Sequence, residues 1–281
     1  MTLFVNGLTQ LDASLWCPHR GLIGVSWQVS AELDGELGED GMLFDFGHVK
    51  PWIKSRLDDG ADHTLIVPID APGITVSECP EGLAIRATTP YAMEVRGPHQ
   101  AFTLVPAAQI NPSDLAERFA EEMMRQPPPR VSAIRLSFQD EPLSGAAYTY
   151  SHGLRRHDGN CQRIAHGHRS PLHIWQDGIR APALEAEWAE RLADRYLVDK
   201  SDIEDNHELT AQGMLTTRYR APQGDFFLML PLERCMILPT ATTIEQIAAW
   251  LADEITRETG QVTRVQAFEG IGKGAIAERT P

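Results

Sequence analysis

The stretch Tyr150-Ser-His-Gly-Leu-Arg-Arg-His-Asp-Gly-Asn-Cys-Gln-Arg-Ile-Ala-His-Gly-His-Arg-Ser170 organises the reading of this chain. It holds four of the ten histidines, one of the four cysteines and four arginines. In a strand, side chains at i and i+2 point to the same face, so His166 and His168 converge if this piece is extended. His152, on the preceding extended piece, supplies a third imidazole. Three neutral imidazoles with an open position are the donor set of a catalytic zinc, whereas a structural zinc takes four protein ligands. Cys161 stands near enough to be either a fourth ligand or a reactive thiol.

The rest of the composition narrows the class. A chain of 281 residues, 42% hydrophobic and 23% charged, has the make-up of a globular protein with a real core. Its net charge of −14 argues against a nucleic-acid or anionic-membrane binder. Cations nonetheless crowd the histidine stretch, at Arg155, Arg156, Arg163 and Arg169. The cysteines are dispersed, with no C-x-x-C pair and no disulfide framework. The start of the sequence has no basic and apolar leader, and no run such as Phe226–Leu230 approaches a membrane span. A cytoplasmic protein with reduced thiols is expected.

Periodicity divides the chain into two like halves. Residues 22–34 alternate as a strand, Met42–Phe46 reads as extended, and Asp45–Leu57 reads as an amphipathic helix through Val49, Trp52, Ile53 and Leu57. Asp62-His63 follows in a loop, then extended pieces at Leu83–Thr88 and Ala101–Val105. A helix opens at Pro112-Ser-Asp114 and runs to Met124, and Val131–Phe138 is a last strand. The second half repeats the order: extended Ala147–Leu154 and Ile164–Ile174, a helix over Ala183–Leu197 carrying Tyr196, and Asn206-His207 where Asp62-His63 fell. Phe227–Pro231 echoes Phe102–Pro106, a helix over Ile244–Ile255 echoes the one ending at Met124, and Val262–Glu269 echoes Val131–Phe138. Each half is thus expected to be a β-β-α-(β-β)-α-β unit of the α+β class, with an antiparallel sheet and helices on one face. The expected domains are 1–142 and 143–281.

The order His152, Cys161, His166-Gly-His168 resembles the zinc and thiol pattern of the 6-pyruvoyl-tetrahydropterin synthase family, which includes the 6-carboxytetrahydropterin synthases of queuosine biosynthesis. Thr242-Thr-Ile-Glu245 resembles that family's late helix start, and Val265–Glu269 its terminal strand. Gly41-Met-Leu-Phe-Asp-Phe46, Lys50 and Asp62-His63 resemble its mid-chain motif. The resemblance implies tandem tunnelling-fold (T-fold) repeats closing into a homo-oligomeric barrel, with active sites at interfaces. It implies a zinc-dependent, pterin-forming lyase acting on 7,8-dihydroneopterin triphosphate, with the carboxytetrahydropterin outcome leading. The alternatives are a pyruvoyl-type synthase, a side-chain aldolase, or a non-catalytic pterin-binding or assembly protein. His152, His166 and His168 are implied as zinc ligands and Cys161 as general base. Glu269, with Thr242 and Thr243, is implied at the pterin ring.

The halves depart from the pattern in opposite ways. In the first, Ile23-Gly24-Val25 occupies the His-Gly-His register, Asp12 or a neighbour stands for the early histidine, and Phe138 or Gln139 is in register with Glu269, with Asp140 one slip away. The second lacks the Asp-His pair, having Asn206-His207. Complementary loss would give one composite site, with Cys161 served by Asp62-His63 from the other half; His207, with Asp205 nearby, is the competing relay. Zinc on a substrate oxygen acidifies the adjacent C–H, and its removal needs a base matched to the operating pH. A thiol starts near ~8.5 and falls beside cations or a metal, which suits Cys161. Arg155, Arg156, Arg163 and Lys273 are candidates for the triphosphate. Pro171 is expected to interrupt the strand after His168.

Overall fold

The computed structural model describes residues 1–281. The first half opens with two long strands, β1 (Thr2–Cys17) and β2 (Gly21–Gly35), followed by helix α1 (Phe46–Gly60). Next come β3 (Leu65–Pro68), β4 (Ile74–Cys79), β5 (Gly82–Ala87), β6 (Met93–Gly97) and β7 (Phe102–Val105). Helix α2 (Pro112–Met123) and strand β8 (Val131–Asp140) complete this half. The second half contains β9 (Ala147–His152), β10 (His166–Gln176), the short β11 (Ile179–Arg180), α3 (Pro182–Leu192) and β12 (Arg195–Asp199). It continues through α4 (His207–Ala211), β13 (Met214–Ala221), β14 (Gly224–Pro231) and β15 (Cys235–Leu238). It ends with α5 (Ile244–Thr259), β16 (Thr263–Phe268) and β17 (Gly274–Arg279).

Two sheets share one strand order. The first runs β7-β3-β1-β2-β8 and the second β15-β12-β9-β10-β16-β17, each built on an antiparallel hairpin with two parallel strands at one edge. The helices cover one face of each sheet. Apolar stripes make this so: Val49, Ile53 and Leu57 of α1 and Leu115, Phe119 and Met123 of α2 pack on Leu11, Leu15, Ile23 and Val29. In the second half Trp188 and Leu192 of α3 and Ile247, Leu251 and Ile255 of α5 pack on Tyr148, Tyr150, Leu172 and Ile174. Asp45, Asn111 and Thr243 cap α1, α2 and α5 by accepting from backbone N–H groups in the first turn, and Gly260 ends α5 in the left-handed region.

The opposite faces of the two sheets meet. Ser14 Oγ donates to Ser151 Oγ at 2.6 Å, and Gly24 lies against Gly167, where a Cβ would stand 2.8 Å from the Gly24 Cα. Ser14 pairs with Gly24 and Ser151 with Gly167, so equivalent positions of the two hairpins face one another. A third sheet, β13-β14-β6-β5-β4, takes strands from both halves through the β14–β6 ladder. A mixed core of Trp16, Leu22, Val67, Ile85, Tyr196, Tyr219 and Phe226 lies between it and the other two.

Several local expectations are corrected. Met42–Phe46 is not a strand but the approach to the α1 cap, and the partner of β2 is β1, buried on both faces over Leu11–Trp16 and therefore without alternation. The helix expected over 183–197 ends at Leu192. Asp194 turns with φ of 57°, and Tyr196 enters β12, whose residues are buried between β9 and β15. Phe227–Pro231 belongs to the third sheet, so the strand equivalent to β7 is β15, also followed by a proline. Pro171 does not interrupt β10. It sits where the ladder with β9 ends and the one with β16 begins, and so needs no further N–H donor.

Candidate active site

The antiparallel register sets His152 directly opposite His166, and two residues on His168 shares their face. Their ligand atoms lie within 4.8 Å of one another and all three residues are buried. His152 Nδ1 donates to the Thr242 carbonyl at 2.9 Å and His166 Nδ1 to the Arg163 carbonyl at 3.1 Å. Each of these bonds fixes the tautomer that leaves Nε2 a bare acceptor. All three Nε2 atoms are buried without a hydrogen-bond partner. Such orphaned groups are costly unless something else satisfies them. Burial, helped by the neighbouring imidazoles, drives His152 and His166 well below the usual imidazole range. They are neutral, the form that ligates a metal. The donor set fits a metal ion.

The first half completes the surroundings of this cluster. Asp12, buried in β1, places Oδ1 3.3 Å from His168 Nδ1, accepts from Ser26 Oγ at 2.5 Å and meets Lys273 Nζ at 3.4 Å. Burial opposes its charge, but His168, Lys273 and Ser26 outweigh burial and hold the carboxyl well below the ordinary range. A carboxylate behind a ligating imidazole orients the ring and raises its basicity. At the corner between α1 and β3, His63 adopts φ of 55° and donates its backbone N–H to the Asp12 carbonyl. Its ring lies 5.3 Å from that of His166. Asp62 Oδ2 pairs with His63 Nδ1 at 2.5 Å, while Asp62 Oδ1 accepts the Asp12 N–H at 2.9 Å. Burial lowers the His63 affinity for a proton, yet Asp62 and the neighbouring Cys161 push the imidazole up to about 10.

Asp62, His63, Cys161, His152, His166 and His168 are therefore neighbours in one chain. Glu269 joins them, with Oε1 3.9 Å from His168 Nε2. Thr242 is buried and holds His152, whereas Thr243 caps α5. Arg155 and Arg156 line a pocket with Thr242 and Thr243. Arg155 pairs with Asp202 at 2.7 Å beside the α5 start. Buried Arg163 donates to the Asp62 carbonyl and the Gln223 amide oxygen, tying the two halves together. His207 does not reach the cluster. It is 94% exposed at the start of α4, with Asp205 at 3.7 Å as its charged neighbour. The resemblance to Asp62-His63 is local only: the segment follows β12, whereas Asp62-His63 precedes β3.

Two registers are also corrected. The position matching His152 is Leu15, opposite Ile23, and not Asp12. The position matching Glu269 is Asp140, because Trp27 pairs with Asp140 and the β10–β16 ladder extended from Leu172–Ala267 sets Ser170 against Glu269. Asp12 itself is the residue whose role sequence reasoning missed. The signal was an acid in an otherwise apolar buried run.

Fold and site together define an α+β protein with a three-histidine, metal-type centre and a thiol–imidazole–carboxylate group beside it. Residues 143–280 match the family described as 6-pyruvoyl tetrahydropterin synthase. That match covers the second-half domain, which is similar to this family. A relative from Pyrococcus horikoshii, provisionally described as a 6-carboxy-5,6,7,8-tetrahydropterin synthase, is 26% identical over 128 residues, 46% of this chain and 74% of that protein. Among solved structures, the 6-pyruvoyl tetrahydropterin synthase of Plasmodium vivax is similar at 16% identity and a TM-score of 0.42, over 51% of this chain and 93% of its own. That of Plasmodium falciparum gives the same identity and score over 50% and 92%. No helix is long and apolar enough to cross a membrane.

Proposed function

We propose that the chain is a zinc-dependent, pterin-forming lyase acting on 7,8-dihydroneopterin triphosphate, with the 6-carboxytetrahydropterin outcome. In this reading it consists of two tunnelling-fold units, residues 1–142 and 143–281, that share a single active site. The shared strand order supports the duplication. The observation that carries the functional reading is the meeting of three orphaned imidazole Nε2 atoms with Cys161, His63 and Asp62.

His152, His166 and His168 would hold the zinc, which when bound acts as a Lewis acid toward a substrate oxygen. Thr242 and Arg163 fix the rings of His152 and His166 through hydrogen bonds at Nδ1, and the Asp12 carboxylate stands 3.3 Å from His168 Nδ1. Cys161 is the base that takes a proton from the side-chain carbon. His63, held by Asp62, carries the second proton and stabilises the thiolate by donating to it. Glu269 accepts the paired N–H donors of the aminopyrimidine edge. In the degenerate half Leu15, Ile23 and Val25 fill the metal positions with apolar core, so that half supplies residues and not a second metal.

Incubation with 7,8-dihydroneopterin triphosphate and mass analysis of products tests the reading. The expected result is loss of triphosphate with release of acetaldehyde. Loss of triphosphate alone would place the chain in the pyruvoyl branch, and binding without turnover would contradict catalysis. His63→Ala and Cys161→Ala should each lower kcat by about 10²–10⁴-fold with zinc content unchanged.

A further inference from the structure

Cys161 is carried by the connection from β9 to β10, in a short 3-10 turn over Asn160–Gln162. Such a turn has poorer hydrogen-bond geometry than an α-helix, so its place is set by what holds it from outside. Here the support is a hairpin of the third sheet. Strands β13 and β14 close through Pro222-Gln223, with Ala221 paired to Gly224. The Gln223 backbone N–H donates to Gln162 Oε1 at 2.6 Å, and its Nε2 donates to Asn160 Oδ1 at 2.8 Å. Its Oε1 accepts from Arg163 Nε at 3.0 Å. Buried Tyr219, on the same hairpin, donates its hydroxyl to the Gln162 carbonyl at 2.8 Å. Both chain neighbours of Cys161, and Arg163 beyond them, are thus bonded to this hairpin.

The bonds fit one another. Arg163 can only donate, so the Gln223 oxygen faces it; the amide nitrogen then faces Asn160, whose oxygen accepts. Gln162 and Arg163 are buried, so a lost partner would leave their polar groups unpaired. Arg163 carries the network into the first half. Its second donor goes to the carbonyl of Asp62, the residue that holds His63. The hairpin is itself anchored there. Strand β14 pairs with β6, and Gly224, at φ of 145°, closes on Pro98, where a Cβ would stand 2.6 Å from the ring.

We propose that Gln223 is a positioning residue for the reaction: by holding residues 160–163 against Asp62 it sets the approach of Cys161 to His63. The proposal rests on the reading of Cys161 and His63 as the proton-transfer pair, whereas the clamp itself does not. A misplacement of about 1 Å in such a pair can cost about 100-fold in rate. The test compares Gln223→Ala and Gln223→Glu in the zinc-loaded full chain. It uses steady-state kinetics with 7,8-dihydroneopterin triphosphate and deuterium exchange over residues 154–163. Glutamate keeps the acceptor for Arg163, and the Asn160 amide can turn over to donate to it. Gln223→Ala should lower kcat about 10–100-fold while KM and zinc content stay within about twofold of wild type. Exchange over residues 154–163 should quicken at least about tenfold, with β9 and β10 unaffected. Gln223→Glu should restore both kcat and protection. Unchanged exchange in Gln223→Ala, or an equal loss of kcat in both variants, would overturn the inference. So would quicker exchange with unchanged kcat, provided that Cys161→Ala abolishes turnover. If Cys161→Ala is as active as wild type, quicker exchange upholds the clamp and the reading of Cys161 as base fails.

Discussion

At the residue scale the site is a set of fixed rings. Asp12 restrains His168 from outside its own half, and outer carboxylates of this kind alter metal affinity about 10–100-fold. Asp12→Asn should therefore weaken zinc binding by roughly that factor, read by competition with a chromogenic chelator. Unchanged affinity would show that Asp12 only packs. Asp202 gives a pH signature away from the metal. Burial pushes its carboxyl from 3.8 up to about 6, with Arg155 opposing. A carboxyl raised on folding contributes stability below its unfolded value that is lost as pH rises through its folded value. Relative to Asp202→Asn, the Tm of the wild type should fall between about pH 4 and pH 6; a constant difference would contradict this. The histidine triad was legible because His-x-His in a strand needs only period two. Asp12 was misread as a lost ligand because its partner, His168, is distant in sequence. His207 was misread because an Asn-His pair looks like Asp-His until its place after β12 is known.

At the element scale the hairpins cross at two glycines. A Cβ on Gly24 would overlap the Tyr150 carbonyl oxygen and the His168 backbone, neither of which can swing away. Gly24→Ala should cost roughly 1–3 kcal/mol, lower Tm by several degrees and reduce zinc occupancy, because it displaces the strand that carries two ligands. Normal Tm and zinc content would show that the sheets separate freely. The same crossing explains which elements the sequence announced. Helices α2 and α5 have one buried stripe and a clear cap and were read within a few residues. Strand β1 is covered on both faces over Leu11–Trp16 and gives no alternation. The short β12 follows α3 after two residues, and its apolar residues continued the helical pattern.

At the scale of the whole molecule, the two halves are interlocked, not strung together. They share the third sheet, the core around Trp16 and Phe226, and the group that joins His63 to Cys161. We propose complementary loss of two like halves: once one half supplies Asp62-His63 and the other the three imidazoles, neither need keep a full set. A unit whose sheets have open edges still invites assembly into a larger ring, which we propose as the oligomeric state. In that ring every site would be closed within one chain. The direct measurement is complementation, by co-expressing His63→Ala and Cys161→Ala chains, purifying the mixed oligomer and assaying turnover. A site completed within the chain gives no recovery, since every copy lacks one of the two groups. Recovery toward a quarter of wild-type activity would show that Asp62-His63 reaches Cys161 from another subunit, and would contradict the account.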